Sequence, residues 1–458
     1  MKLDTASSSS SWLRRTPAVS TTIFTHASAV RPLSSFKPTN IISCCSFSST
    51  PTHSSLSSSS TRSYSRRWYN PLRRKQFDDA SPDILRHWID ADPHPLASQE
   101  RFTVVSYNIL GDKNASKHKD LYPNVPSQYM KWSHRKRLIS QELFGWNPDI
   151  ICMQEVDRYF DLSSFMEKAG YVGSYKRRTG DNIDGCATFW KADKFRLIEE
   201  VNIEFKEFGL RDNVAQISVF EMRRAKSRKL VVGNIHVLYN PIRGEVKLGQ
   251  ICLLSSRAQV ISEKWGNAPV VLAGDFNITP QSAIYQFLSS SELNIKLYDR
   301  RELSGQRSCH PAQVFGPKKE MSNPFAVIDR FFQNCWTDKE VKVATGRHDC
   351  HLAVHPLKLY SSYASVKGST KTRGLNDEPL ATSYHFKFFG TVDYIWYSNG
   401  LVPTRVLDTL PVDTLRRTGG LPSKSLGSDH LALVSEFAFA PGTTKEGDKS
   451  TVSNYPSF

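Results

Sequence analysis

Six short blocks of acidic, amide and imidazole residues recur along the chain of 458 residues, the first four where an apolar run stops, the fifth inside one and the sixth opening the last. They are Tyr107-Asn108, Gln154-Glu155, Asn234-Ile235-His236, Gly274-Asp275-Phe276-Asn277, Asp393 and Ser428-Asp429-His430. Taken singly, each has an ordinary explanation. A strand-end Asp commonly caps a helix or forms a turn, and a lone buried His is usually a hydrogen-bonded core residue. The ordered set weighs more, because all six positions carry hard oxygen donors or imidazoles. Such groups can hold a cation against a phosphate ester, supply a nucleophilic water and stabilise developing charge. Carboxylates and amides without a thiolate cluster suit Mg²⁺ or Mn²⁺.

The elements that must position these residues are short apolar runs alternating with helical stretches. Strands are predicted over 102–110, 149–154, 185–191, 214–222, 230–237, 270–275, 391–397 and 430–439. Ile251, Leu254, Ala258, Ile261 and Trp265 recur at helical spacing. Thr279-Pro280 predicts another helix, with Thr279 as its cap and Ala283, Ile284, Phe287 and Leu288 on its buried face. The Lys/Gly/Ser/Thr-rich stretch 362–378 predicts a surface loop or insertion. No internal repeat is visible, and one α/β domain of about 350 residues is the economical reading.

Composition separates this body from what precedes it. The chain carries 60 Lys+Arg against 44 Asp+Glu, a net charge of +16, and 39% of its residues are hydrophobic. The first 75 residues hold 21 Ser and 11 of the basic residues against one acid, Asp4, which leaves +6 on the remainder. The basicity therefore argues little for nucleic-acid binding by the folded body. A Ser/Arg-rich, nearly acid-free segment has the composition of an organellar transit peptide, and Arg62-Ser63-Tyr64-Ser65 resembles a processing site. The alternative is a disordered basic tail with no address. The expected division is a leader over 1–95, a catalytic domain over 96–441 and a disordered tail over 442–458. The aromatic content (25 Phe, 17 Tyr, 9 Trp) excludes disorder throughout. No run approaches the ~18 apolar residues of a membrane span, so a soluble protein without membrane partners, a monomer, is expected. The eight cysteines contain no C-x-x-C pair, and Cys152, Cys186 and Cys252 lie in apolar runs, which fits a reduced compartment. His348-Asp349-Cys350-His351 lacks the second ligand pair that a zinc site needs.

The six blocks, in this order and spacing, resemble the endonuclease/exonuclease/phosphatase superfamily with its deoxyribonuclease I-like fold. Finer cues are Ser106-Tyr107-Asn108-Ile109-Leu110, Asp184-Gly185-Cys186-Ala187, Leu359-Tyr360-Ser361-Ser362-Tyr363 and the run from Phe388 to Ser398. They resemble the carbon catabolite repressor-type deadenylases and nocturnin. The resemblance implies a four-layer α/β/β/α sandwich of two packed mixed β-sheets. It also implies Mg²⁺-dependent (or Mn²⁺-dependent) 3′-to-5′ exoribonuclease action on poly(A), releasing 5′-AMP. By resemblance Glu155 is the principal metal ligand, with Asn108 beside it. Asp275 orients and deprotonates water and can touch a second metal, Asn277 donates to the phosphate, and His236 and His430 stabilise charge. Asp393 pairs with His430, and Asp429 assists a metal. Asn240-Pro241 and Phe388 occupy the places that hold the terminal adenine in the deadenylases, although many relatives have Asp where Asn240 stands. The alternative is a nocturnin-like NADP(H) 2′-phosphatase, for which Lys176, Arg177 and Arg178 could form a phosphate clamp. No leucine-rich-repeat module precedes Arg101, so association with a deadenylation complex rests on the family alone. The leader points to mitochondrion or chloroplast, whereas the family implies cytoplasm and nucleus.

Overall fold

The protein was analysed as a computed structural model, which describes residues 85–92, 100–316, 336–374 and 376–440. Almost all of the expected leader, the tail from 441, and Cys44, Cys45 and Cys335 lie outside the described residues. The described strands are β1 (Trp88–Asp90), β2 (Arg101–Asn108), β3 (Ile150–Val156), β4 (Tyr171–Arg177), β5 (Gly185–Lys191), β6 (Phe195–Glu204), β7 (Val214–Met222), β8 (Ala225–His236) and β9 (Val270–Asp275). They continue with β10 (Glu292–Asn294), β11 (Leu352–Val354), β12 (Leu359–Ser361), β13 (Ser383–His385), β14 (Phe388–Gly390), β15 (Asp393–Ser398), β16 (Leu401–Leu407) and β17 (Leu433–Phe439).

Two large sheets result. One has seven strands in the order β1-β16-β17-β2-β3-β5-β4, and the other has six in the order β12-β15-β9-β8-β7-β6. Both are mixed: β2–β3 and β8–β9 run parallel and the other neighbours antiparallel. Alternation along each strand explains the layering, since successive side chains point to opposite faces. On β2, Phe102 and Val104 join a core shared with Val271, Ala273 and Ile395 of the other sheet. Val105 and Tyr107 instead face Ile139 and Leu143 of the helix Trp132–Trp146. On β9, Val270 and Leu272 pack against Ile251, Leu254 and Ala258 of the helix Gly244–Lys264. Helices thus cover the outer face of each sheet, giving the expected four layers.

The core turns polar toward one end. Gln154 Nε2 donates to Asn234 Oδ1 across the gap between the sheets (2.9 Å), and Asn234 Nδ2 donates to the Met153 and Ala187 carbonyls (3.2 and 3.0 Å). An unmade hydrogen bond here would cost roughly 1–3 kcal/mol, so these amides fix the register of one sheet on the other. Gln154 and Asn234 belong to this clasp and do not line the cavity described below.

Three local expectations need correction. The helix expected at Thr279-Pro280 begins instead at Ala283, because Ser282 Oγ accepts from the Tyr285 amide and caps it. The helix marked by Ile251 to Trp265 starts earlier, at Gly244; its first turns are buried too, which hides them from a one-sided pattern. The stretch 362–378 is no simple surface loop: Ser362, Tyr363, Thr372, Arg373 and Glu378 are buried, and the Tyr363 hydroxyl donates to the Leu407 carbonyl (2.7 Å). Among the described residues no helix is long and apolar enough to cross a membrane. Cys152, Cys186 and Cys252 are buried free thiols.

Candidate active site

Strand ends bring the six sequence blocks together. On the six-stranded sheet, Asp275 is in register with His236 on one side and Asp393 on the other. These three residues share the parity of Val232, Ala273 and Ile395, so they stand in a row on the face toward the second sheet. Asn108, with the parity of Val104, answers from the facing sheet. Its Nδ2 donates to Asp275 Oδ2 (3.1 Å) and to Glu155 Oε1 (3.2 Å).

Glu155 reaches this point through an irregularity. The β3–β5 register shifts between Met153 and Val156, and Glu155 has φ +57, left-handed for a non-glycine residue. Its second oxygen accepts from the Gly111 amide (3.1 Å) and Asn114 Nδ2 (2.9 Å). Burial pushes the Glu155 carboxyl up, but the charges of His236 and His430 and the amides of Asn114 and Asn108 outweigh it and hold the group below its ordinary range. Left-handed backbone at a half-buried carboxylate costs of order 1–3 kcal/mol and persists where its surroundings over-determine it.

Asn277 is placed by a turn as well. The strand ends at Asp275, so alternation does not carry on to Asn277; its φ is +53, and its amide donates to Asp275 Oδ1 (2.9 Å). Asn277 Nδ2 donates to the Val237 carbonyl (3.0 Å), and Asn277 Oδ1 accepts from Gln306 Nε2 (3.0 Å). Gln306 is gripped in turn by the fully buried Lys247, whose Nζ also donates to the Asn277 carbonyl (2.7 Å). Burial drives the Lys247 ammonium well below its usual range, against the pull of Asp275.

His430 Nδ1 lies 2.9 Å from Asp393 Oδ2, which also accepts from Thr382 Oγ1 (2.6 Å). Burial opposes a charged His430, yet Asp393, Asp429 and Asp275 together raise it well above the usual imidazole range. Asp275 is itself raised, by burial and then by Asp393, against His236 and His430. Asp429 is raised mainly by burial and accepts from the Tyr122 hydroxyl (2.9 Å). Ser428 Oγ donates to the Asn108 carbonyl (2.7 Å), tying this loop to β2.

Glu155, His236, Asp275, Asn277, Asp429 and His430 all line one cavity of about 270 Å³, while Asn108 and Asp393 stand behind it. Phe388, His385 and Tyr239 supply its aromatic wall. Burial, then the charge of His430, pushes the His385 imidazole down to about 3, so this ring is neutral. Of the other sequence candidates, Lys176 pairs with Glu204, and Arg177 Nη1 donates to the Gly180 and Asn182 carbonyls; neither lines the cavity. The third basic residue of that triplet, Arg178, does line it. Asn240 opens onto a neighbouring cavity, and the Pro241 carbonyl accepts from Ser304 Oγ (2.9 Å). Asn114, Tyr122, Gln306 and Lys247 were not singled out in the sequence. Lys247 left one usable signal: it sits four residues before Ile251, on the buried side of that helix.

The endonuclease/exonuclease/phosphatase family model matches residues 105–430, which takes in all six sequence blocks. The chain belongs to this family. It is 60% identical over 415 residues to carbon catabolite repressor protein 4 homolog 3 of Arabidopsis thaliana, covering 90% of this chain and 92% of that protein. The crystal structure of ANGEL2, described as a 2′,3′-cyclic phosphatase, is 28% identical with a TM-score of 0.62, covering 78% of this chain and 99% of the other. The human nocturnin catalytic domain shares the fold at 24% identity, with a TM-score of 0.51 over 79% of this chain and 100% of that domain.

Members of this hydrolytic family work with a divalent metal, and the donors here fit one. Glu155, half-buried, and Asp275, buried, are carboxylates bridged by a single amide, a pair of negative charges that a cation between them would relieve. Among the described residues, Asp275, Asp393 and His430 also place ligand atoms within 4.8 Å of one another, but Asp393 and His430 already bond each other. Glu155 and Asp275 would therefore hold the ion, with Asn108, whose Oδ1 accepts from the Leu110 amide (3.0 Å), orienting the two carboxylates. Oxygen donors without a thiolate favour a hard cation.

Proposed function

We propose that the protein is a Mg²⁺-dependent 3′-to-5′ exoribonuclease that shortens poly(A) and releases 5′-AMP. The observation that carries this reading is the shared cavity. Its volume of about 270 Å³ falls just below the ~300–1,000 Å³ typical of ligand pockets, which suits one terminal nucleotide. Phe388 and Tyr239 give a base a stacking surface beside the catalytic row. The 60% identity to a carbon catabolite repressor protein 4 homolog supports the same reading.

The bound cation supplies charge neutralisation on the phosphoryl oxygens. Asp275, buried and raised, takes the proton from a water aimed at phosphorus. The charged His430, held by Asp393, donates to a non-bridging oxygen, and His236 and Asn277 do the same from the sides. The bond from phosphorus to the 3′ oxygen breaks, 5′-AMP remains in the cavity, and the new 3′ hydroxyl takes its proton from solvent.

A second reading has its own support. ANGEL2, with 28% identity over most of this chain, is described as a 2′,3′-cyclic phosphatase, and the same residues could open a cyclic phosphate at an RNA 3′ end. The NADP(H) 2′-phosphatase alternative rests on Arg178 at the cavity wall. The test gives the purified full chain, with Mg²⁺, three substrates: 3′-oligo(A) RNA, the same RNA ending in a 2′,3′-cyclic phosphate, and NADPH. Stepwise shortening of the RNA is expected. Ring opening without shortening, or phosphate release from NADPH with intact RNA, would reverse the choice.

The expected leader and the catalytic domain over 96–441 extend to the cellular proposal. The leader directs the enzyme to an organelle, and it acts there as a monomer on RNA outside a stable deadenylation complex. A fluorescent fusion of residues 1–95 tests the address. Uniform cytoplasmic and nuclear signal would oppose it.

A further inference from the structure

Beside the catalytic cavity lies a second one of about 350 Å³. Arg178 and Asn182 line both, so the two spaces adjoin across these side chains. Three guanidinium groups, from Arg178, Arg211 and Arg243, face this second space against one carboxylate, Asp212. Asp212 is engaged by Thr179 Oγ1 (2.7 Å) and lies 3.6 Å from Lys206 Nζ. Arg178 is braced by Asp184 (2.6 Å) and Arg243 by Glu245, which presets their heads and offsets part of their charge. Arg211 has neither a hydrogen bond nor an ion pair among the described residues, and it is exposed. Its φ is +72, a conformation that costs a non-glycine residue ~1–2 kcal/mol and that the surrounding fold must impose. Asn240 adds a donor: its Oδ1 is occupied by the Ile242 amide (3.1 Å), which leaves Nδ2 available at the cavity.

We propose that this basic cavity is a second phosphate subsite, which takes the substrate phosphate one linkage beyond the one being hydrolysed. Guanidinium forks match phosphate oxygens in geometry and charge, and a cavity that shares Arg178 and Asn182 with the catalytic one is placed to take a neighbouring phosphate of the same substrate. Two substrates carry such a group: RNA through its next phosphodiester, and a dinucleotide such as NADP(H) through its pyrophosphate. The proposal rests on the reading that the catalytic cavity hydrolyses a phosphate ester. It assigns Asn240 to phosphate, beside the adenine role that resemblance implies.

The test compares substrates that differ by that phosphate. The full chain with Mg²⁺ is given the diadenylate ApA, which has one phosphate, and the triadenylate ApApA, which has two. NADPH against 2′-AMP forms the parallel arm. The wild type should prefer the substrate with the additional phosphate in kcat/KM, and Arg211→Ala and Arg243→Ala should each reduce that preference roughly tenfold. A loss confined to the RNA arm identifies the phosphodiester, and one confined to the NADPH arm identifies the pyrophosphate. Equal loss on long and short substrates, or no change on either, would overturn the subsite. Binding of fluorescent ApApA to the Glu155→Gln protein keeps the two readings apart. Weaker binding on adding Arg211→Ala supports the subsite even if the wild type hydrolyses nothing, and unchanged binding refutes it.

Discussion

His430 and Asp393 meet at 2.9 Å from opposite sheets, the histidine on the loop before β17 and the aspartate on the first residue of β15. The pair fixes which imidazole nitrogen faces the cavity and keeps the ring charged. Asp393→Asn should lower kcat by about 10²–10³-fold with KM changed far less, since the lost charge stabilisation belongs to the transition state. Combining it with His430→Ala should cost little more than His430→Ala alone. Steady-state kinetics of the double-mutant cycle read this, and additive losses would mean that the two residues act independently.

Gln306 acts through Asn277. Its side chain occupies Asn277 Oδ1, so the amide of Asn277 must present its nitrogen to substrate. Gln306→Ala removes one of the two bonds that orient this amide, the Val237 carbonyl accepting the other, and should reduce kcat/KM by roughly tenfold. Gln306→Glu, which can no longer donate from that position, should do at least as much harm. Wild-type kinetics in both variants would show that Asn277 is oriented by other contacts.

Phe388 separates binding from chemistry. A stacked base contributes roughly 1–3 kcal/mol, so Phe388→Ala should raise KM for 3′-oligo(A) about 5- to 100-fold while sparing hydrolysis of a small phosphate ester. Equal losses on both substrates would assign the ring to the core.

Glu378 makes stability depend on pH. It is 1% exposed, accepts from the Tyr285 hydroxyl (2.9 Å), and burial pushes its carboxyl from an ordinary 4.5 up to about 7. Between these two values the folded chain keeps a proton that the unfolded chain has lost, so stability falls as pH rises through that window. The full effect is of order 3 kcal/mol, at ~1.4 kcal/mol per unit. Urea denaturation at pH 5 and pH 8 should show this loss in the wild type and a loss smaller by about that amount in Glu378→Gln, which keeps the similarly raised Glu142. An equal pH dependence in both proteins would contradict the assignment.

Much of the site was legible because strand-end chemistry is local. Asn108 and Asp275 continue the alternation of the apolar residues before them and Asp393 begins that of Ile395 and Tyr397, so their nearness to strand ends could be read from the apolar runs. Glu155 and Asn277 were found by residue type, but their left-handed backbone was not visible in any pattern. Asn114, Tyr122 and Gln306 are single polar residues in or beside short helical segments, and only tertiary folding brings them to the cavity. Among the strands of seven residues or more, β4, β6 and β16 were not anticipated: half-buried faces dilute the apolar pattern of the first two, and Pro403 and Arg405 interrupt that of β16. The order of strands within each sheet is set by long-range pairing, which no short window of sequence contains.

The account stands or falls on Glu155 as the residue that holds the cation for phosphate-ester hydrolysis. The direct measurement is single-turnover cleavage of 5′-labelled 3′-oligo(A) RNA by wild type and Glu155→Gln at saturating Mg²⁺, with the metal affinity of each protein read by calorimetry. The account predicts a rate loss of at least about 10³-fold, together with weakened Mg²⁺ binding and a preserved cooperative unfolding transition. Cleavage by Glu155→Gln at the wild-type rate would contradict it.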